Sequence, residues 1–141
     1  DIPDTPPVRL QPSSAVTVPE NKDYAALIDG KTATTWSTEE EDTGVLVTLD
    51  NPTHLAVMPV VQSNSTGTKY AVYGVNQESF NPENPQAGSL HQLARGKFKS
   101  GTEDIELEET NEQFDALLLM ITELPKSDKA TIADIELVGQ P

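Results

Sequence analysis

An all-β domain, arranged as an antiparallel sandwich or barrel, is the architecture this sequence predicts. Three observations carry the expectation. About seven short runs of alternating or β-branched apolar residues recur along the chain, turn-forming clusters separate them, and 141 residues suit a single domain.

The first run is Ala15-Val16-Thr17-Val18, which alternates small, apolar and polar residues before Pro19. Val45 to Leu49 is a β-branched and leucine run, with Asp50-Asn51-Pro52 as its expected stop. Runs over 54–62 and 69–76 follow, separated by Ser63-Asn64-Ser65-Thr66-Gly67-Thr68, a hairpin-like turn cluster. Residues 77–96, with Asn81-Pro82 and Asn84-Pro85, read as a long surface loop. Ile105 and Leu107 alternate with Asp104, Glu106 and Glu108, one buried and one solvated face. Phe114 to Thr122 is apolar on both faces, as a central strand is. A buried helix is the rival reading there, because Ala, Leu and Met favour helices. The segment's shortness, the lack of a capping pair and the Leu124-Pro125 ending favour the strand. Ile132, Ile135 and Leu137 belong to a last strand ending at Gly139. Residues 1–12 read as a proline-rich linker and 13–141 as the folded domain.

The charge balance narrows the partners. With 23 Asp and Glu against nine Lys and Arg, the net charge of -14 repels phosphate backbones and anionic lipid. Nucleic acid is therefore not an expected partner. No apolar run is long enough to span a bilayer, so any anchor of the parent chain lies outside these residues. The polar opening DIPDTPP reads as a linker and not as a signal peptide. Without cysteine there is no disulfide framework.

Catalytic constellations are sparse. His54 and His91 stand alone, so zinc is not expected, and no Gly-x-Ser-x-Gly elbow occurs. Glu39-Glu40-Glu41-Asp42 and the acidic cluster over 103–112 have no apolar surround to raise a carboxyl pKa, and read as solvated loops and edges. Arg95, Lys97 and Lys99 form a basic cluster flanking a strand edge, where lysine discourages edge pairing. Tyr70, Tyr73 and Phe80 are candidates for a ligand surface, against a reading in which Tyr70 and Val72 fill opposite faces of a strand. Phe80 is the loop aromatic suited to stacking.

Tyr24 to Ser37, YAALIDGKTATTWS, carries a recognisable pattern. Leu27-Ile28-Asp29-Gly30, four residues, then Thr35-Trp36-Ser37 resembles the signature of discoidin (factor 5/8 type C, galactose-binding-like) domains. Ala133-Asp134-Ile135-Glu136-Leu137-Val138-Gly139 is similar to the strand on which that family closes. The resemblance runs from Val16 to Gly139 and implies a non-catalytic, antiparallel jelly-roll β-sandwich with Trp36 as a packing anchor. It also implies a structural Ca²⁺ held by the carbonyls of Ala26, Lys31, Thr34 and Ala133 and by side-chain oxygens of Asp29, Thr34 and Asp134. Ca²⁺ takes about six to eight oxygens in tolerant geometry, which such a loop supplies. An Asx-turn at Asp29 needs no ion and is the alternative reading. Asp134 stands where the family carries Glu, a shorter reach to the ion.

A narrower resemblance lies in Leu117 to Gly139. Thr122-Glu123-Leu124-Pro125 and Ile132-Ala133-Asp134 are similar to the C-terminal extracytoplasmic domain of actinobacterial MviN/MurJ-type proteins, in which a lipid II flippase is fused to a pseudokinase segment. That implies a monomeric ectodomain at the outer face of the cytoplasmic membrane, in peptidoglycan biosynthesis, contacting cell-wall glycan or a partner protein. The alternative is a carbohydrate-binding module of a secreted glycoside hydrolase.

Overall fold

The computed structural model describes residues 6–20, 22–29, 35–63, 65–81, 90–99 and 101–140. Among these residues there are ten strands: β1 (Val8–Arg9), β2 (Ser14–Val18), β3 (Trp36–Thr38), β4 (Thr43–Ser63), β5 (Lys69–Val75), β6 (His91–Lys97), β7 (Thr102–Glu106), β8 (Phe114–Glu123), β9 (Ala130–Ile135) and β10 (Val138–Gln140). Every pairing is antiparallel. One sheet runs β2-β4-β8-β5-β6. The other sets β7 along one edge of the second half of β4 and β9 and β10 along the opposite edge, with β3 beyond β9 and β1 beyond β10.

β4 belongs to both sheets, which corrects the expected stop at Asp50-Asn51-Pro52. Residues 43–48 pair with β2 and β8, and residues 54–63 with β7, β9 and β10. The register against β8 shifts between Thr48 and Thr53. Pro52 has no N–H to donate and all three residues are exposed, so the ladder breaks there while the backbone stays extended. The chain thus passes from one sheet to the other without a loop. For the same reason the turn cluster over 63–68 is not a hairpin. The second half of β4 and β5 lie in different sheets, and the loop crosses between them.

β8 is a strand, and its two apolar faces serve two clusters. Phe114, Leu117, Leu119 and Ile121 enter the core between the sheets, with Trp36, Val45, Val47, Val60, Tyr70, Val72, Ile132 and Ile135. Ala116, Leu118 and Met120 point outward and join Val18, Leu46 and Val75, with Val16, Tyr73, Phe80 and Leu90 packed against them. Burying a leucine side chain stabilises by roughly 1.5–3 kcal/mol, so a double-faced central strand anchors both layers. Tyr70 and Val72 both face inward, not to opposite faces.

Two further differences concern the ends and the long loop. Residues 91–97 form edge strand β6 instead of loop; its one fully buried side chain is Leu93, so polar outer positions hide the alternation. Residues 82–89 of that predicted loop lie outside the described residues. Within the segment read as linker, Val8 and Arg9 pair with Gly139 and Val138, and Leu10 donates its N–H to the Leu137 carbonyl at 2.9 Å. The last run divides into β9 and β10, broken at Glu136-Leu137.

Candidate functional site

The implied calcium ligands fall in two groups. A 3₁₀ turn, Ala25–Ile28, ends at Asp29 and packs on β9, the strand that carries Ala133 and Asp134. The two halves of the signature therefore meet, as ligation requires. Asp29 is exposed and Ala26 half-buried, while Ala133 and Asp134 are buried. A buried carboxylate is costly unless it is hydrogen-bonded, paired or ligating, and Asp134 has a polar or electrostatic partner in the fold that is enough to account for its burial. Lys31 and Thr34 lie outside the described residues.

The loop over 39–42 is fully exposed and is held from below by the Thr38 and Thr43 hydroxyls, 2.7 Å apart. Trp36 is 6% exposed and pairs with Ile132, so it packs in the core. Phe80 packs on the outer cluster and is not a free stacking platform.

The site with most chemical character lies on the outer face of β5 and β6. The register sets Lys69 opposite Lys97, Ala71 opposite Arg95 and Tyr73 opposite Gln92, with a bulge between Val72 and Tyr73. Lys69 also faces Glu123 of β8, and its Nζ lies 2.9 Å from a Glu123 carboxylate oxygen. Like charges directly opposite repel, so Glu123 offsets the Lys69–Lys97 pair. The hydrogen bond from Lys69, then its charge, then that of Lys97, holds the Glu123 carboxyl below the ordinary glutamate range.

Two adjoining hollows share Lys69 and Lys97. The first, about 470 Å³, is lined by Tyr73, Gln92, Arg95, Gly96 and Thr122 among others. The second, about 570 Å³, adds Thr66, Gly67, Glu123, Leu124, Pro125 and Lys126. Their walls are fixed from beneath. Tyr70 stacks on Phe98 with centroids 4.9 Å apart, and burial, then the Glu103 charge, pushes its phenol pKa up. Gly96 is required there, since a Cβ would come within 2.9 Å of the Tyr70 hydroxyl. Gly67 donates its N–H to the Phe98 carbonyl at 2.8 Å, and Thr131 donates its N–H to Ser65 Oγ at 2.7 Å, which holds the rim.

Tyr73 is half-buried, one side on the outer apolar cluster and the other lining a hollow. That is the placement of an amphipathic platform. Sequence reasoning named Arg95 and Lys97 as a basic cluster at a strand edge, named Tyr73 apart from them as a candidate ligand aromatic, and missed Gln92. The two-residue step from Arg95 to Lys97 is a strand-face signal; their juxtaposition with Tyr73 depends on the β5–β6 register.

No family profile matches the sequence, and no curated protein matches it. Solved structures share its fold. A chitosan-binding module of a chitosanase/glucanase from Paenibacillus sp. IK-5 superposes with a TM-score of 0.74 at 12% identity, covering 93% of this chain and 98% of that one. The family 32 carbohydrate-binding module of AlyQ, in complex with 4,5-unsaturated mannuronic acid, gives 0.70 at 13% identity over 92% and 97% of the two chains. A family 89 glycoside hydrolase from Clostridium perfringens, with its substrate GlcNAc-α-1,4-galactose, gives 0.69 at 15% identity; the match spans 94% of this chain and 15% of that enzyme. The chain thus shares the antiparallel β-sandwich fold of these modules, which is consistent with the discoidin-like sandwich expected from the motif around Asp29 and Trp36 and the closing strand.

Proposed function

We propose that the chain is a non-catalytic carbohydrate-binding domain, extracellular and carried by a larger glycan-acting protein. The observation that carries the reading is the hollow in which Tyr73, Gln92 and Arg95 converge. An aromatic face accepts the C–H face of a sugar ring, and amide and guanidinium groups meet its hydroxyls; a few convergent polar groups beside an apolar wall define a ligand site. The fold neighbours add support, being binding modules and a hydrolase that contains one such domain. They favour the module of a secreted glycoside hydrolase over the cell-wall ectodomain, whose support is the motif over 122–125 and 132–134; Leu124 and Pro125 border the second hollow. No helix among the described residues is long and apolar enough to cross a membrane.

Affinity electrophoresis of the whole chain through gels of immobilised glycans, with Tyr73→Ala beside it, tests the reading. Retardation by at least one glycan, abolished in Tyr73→Ala, is expected; no retardation in any gel overturns it. A structural Ca²⁺ on Asp29, Asp134 and the carbonyls of Ala26 and Ala133, completed by Lys31 and Thr34, belongs to the same proposal. Its role is to tie the 3₁₀ turn to β9. At about 100 times its Kd, an ion bound only by the folded state stabilises by about 2.7 kcal/mol, so chelator must lower the melting temperature. An unchanged melting temperature refutes the ion.

A further inference from the structure

We infer that the glycan taken by this groove is anionic, a polymer of carboxylated or sulfated sugars that lies across β5 and β6. The inference rests on the carbohydrate-binding reading and specifies its ligand class. Four of the nine basic residues, Lys69, Arg95, Lys97 and Lys126, line these two adjoining hollows of a chain whose net charge is -14. Such a concentration of cations opposes the overall charge. Outside the groove, Arg9 pairs with Glu136 and Lys22 with Glu20 at 3.1 Å. In the groove one carboxylate, Glu123, serves Lys69. Arg95, Lys97 and Lys126 are exposed, and among the described residues none has an ion-pair partner within 4.0 Å.

The arrangement suits a repeating anion. Arg95 and Lys97 are two residues apart on one strand face, about 6.7 Å along β6, and Lys69 stands one strand away, about 4.8 Å. That is the scale of a single sugar unit. The guanidinium of Arg95 forms a planar fork matched to a carboxylate or sulfate, next to the ring of Tyr73 and the amide of Gln92. One sugar therefore meets a stacking face, a hydroxyl partner and a counter-charge together, while Lys97, Lys69 and Lys126 meet the charges of its neighbours. The long-range repulsion from the acidic remainder is screened beyond about 8 Å at physiological salt, so the local cations decide binding.

Titration calorimetry of the whole chain against oligouronates, sulfated oligosaccharides, neutral oligosaccharides of equal length and poly-glutamate tests this. Oligouronate or sulfated oligosaccharide is expected to bind at least tenfold more tightly than any neutral glycan, weakening as salt rises. The better of the two identifies the anion. Arg95→Ala is expected to lose about tenfold and the Arg95→Ala/Lys97→Ala pair more, with Arg95→Lys recovering part. Lys22→Ala, on another element, serves as the charge-matched control, and an unchanged melting temperature in every variant shows the fold intact. Equal or tighter binding of neutral glycans, insensitive to Arg95 and Lys97, overturns the anionic ligand and leaves the carbohydrate reading standing. Poly-glutamate binding as tightly as the glycans also overturns it, in favour of an acidic peptide. Absence of binding to every glycan overturns both.

Discussion

Gly44→Ala is the perturbation with the largest consequence that the structure allows to be worked through. Gly44 pairs with Met120 in the β4–β8 ladder, at the centre of the five-stranded sheet. A Cβ at this position would fall on the carbonyl oxygen of Leu119 and within 3.0 Å of the Leu119 carbonyl carbon and the Met120 Cα. All three are backbone atoms of the neighbouring strand, so no side chain can rotate away. The added methyl must push β4 from β8. Overpacking of this kind costs about 1–3 kcal/mol, and each weakened ladder hydrogen bond adds about 0.5–1.5 kcal/mol. A loss of about 3 kcal/mol lowers the melting temperature of a domain this size by about 10 °C. Gly67→Ala is the comparison: φ is +94° there, but no atom lies within 4 Å of the added carbon. Backbone strain alone costs that variant about 1–2 kcal/mol. Circular-dichroism melts and guanidinium midpoints measure both. A Gly44→Ala drop no larger than that of Gly67→Ala refutes the steric argument.

Leu118→Ala tests the outer cluster: Leu118 is fully buried there, so a loss of about 2–5 kcal/mol is expected, against about 0.5 kcal/mol or less for a solvated position. Equilibrium denaturation decides between them. Tyr70 is held protonated by burial and by Glu103, so its folded pKa lies above the unfolded value of 10.0. Its contribution to stability is present below that pH and is lost as pH rises through the folded value. Melting temperatures at pH 9 and 11 should converge in Tyr70→Phe relative to the parent; an unchanged difference refutes the assignment. For Glu123 the shift is downward, so its share of stability is present above the ordinary glutamate pKa and fades as pH falls through the folded one. The pair is exposed, so the expected readout is the carboxyl NMR titration, which moves up to the ordinary range in Lys69→Ala while the melting temperature stays constant.

Much of the architecture was readable locally. Val45 to Leu49 reads as a strand because a β-branched and leucine run suits buried pleated surface, and Phe114 to Thr122 is settled against a rival helix by its shortness and its Leu124-Pro125 ending. The fold class followed from such runs, and the Asp29–Trp36 spacing with the Ala133–Gly139 strand pointed to the particular sandwich. β6 escaped notice because an edge strand needs one buried residue, Leu93, and leaves no alternation to read. Asp50-Asn51-Pro52 misled because turn chemistry reports local hydrogen-bonding capacity. Whether an extended chain breaks there, or crosses to a second sheet, depends on which strands wait on either side.

The division at the groove has the same cause. The sequence by itself determined that Arg95, Lys97 and Lys99 form a basic cluster in a strongly acidic chain. Only the tertiary structure decided that Arg95 and Lys97 share one face of an edge strand, that Tyr73 and Lys69 stand opposite that strand in register, and that Glu123 sits one strand further on. Side-chain direction along a strand is a property of two-residue periodicity, carried by the local backbone. Cross-strand neighbours are set by pairings between segments distant in sequence, and these are selected by burying β8 on both faces at once.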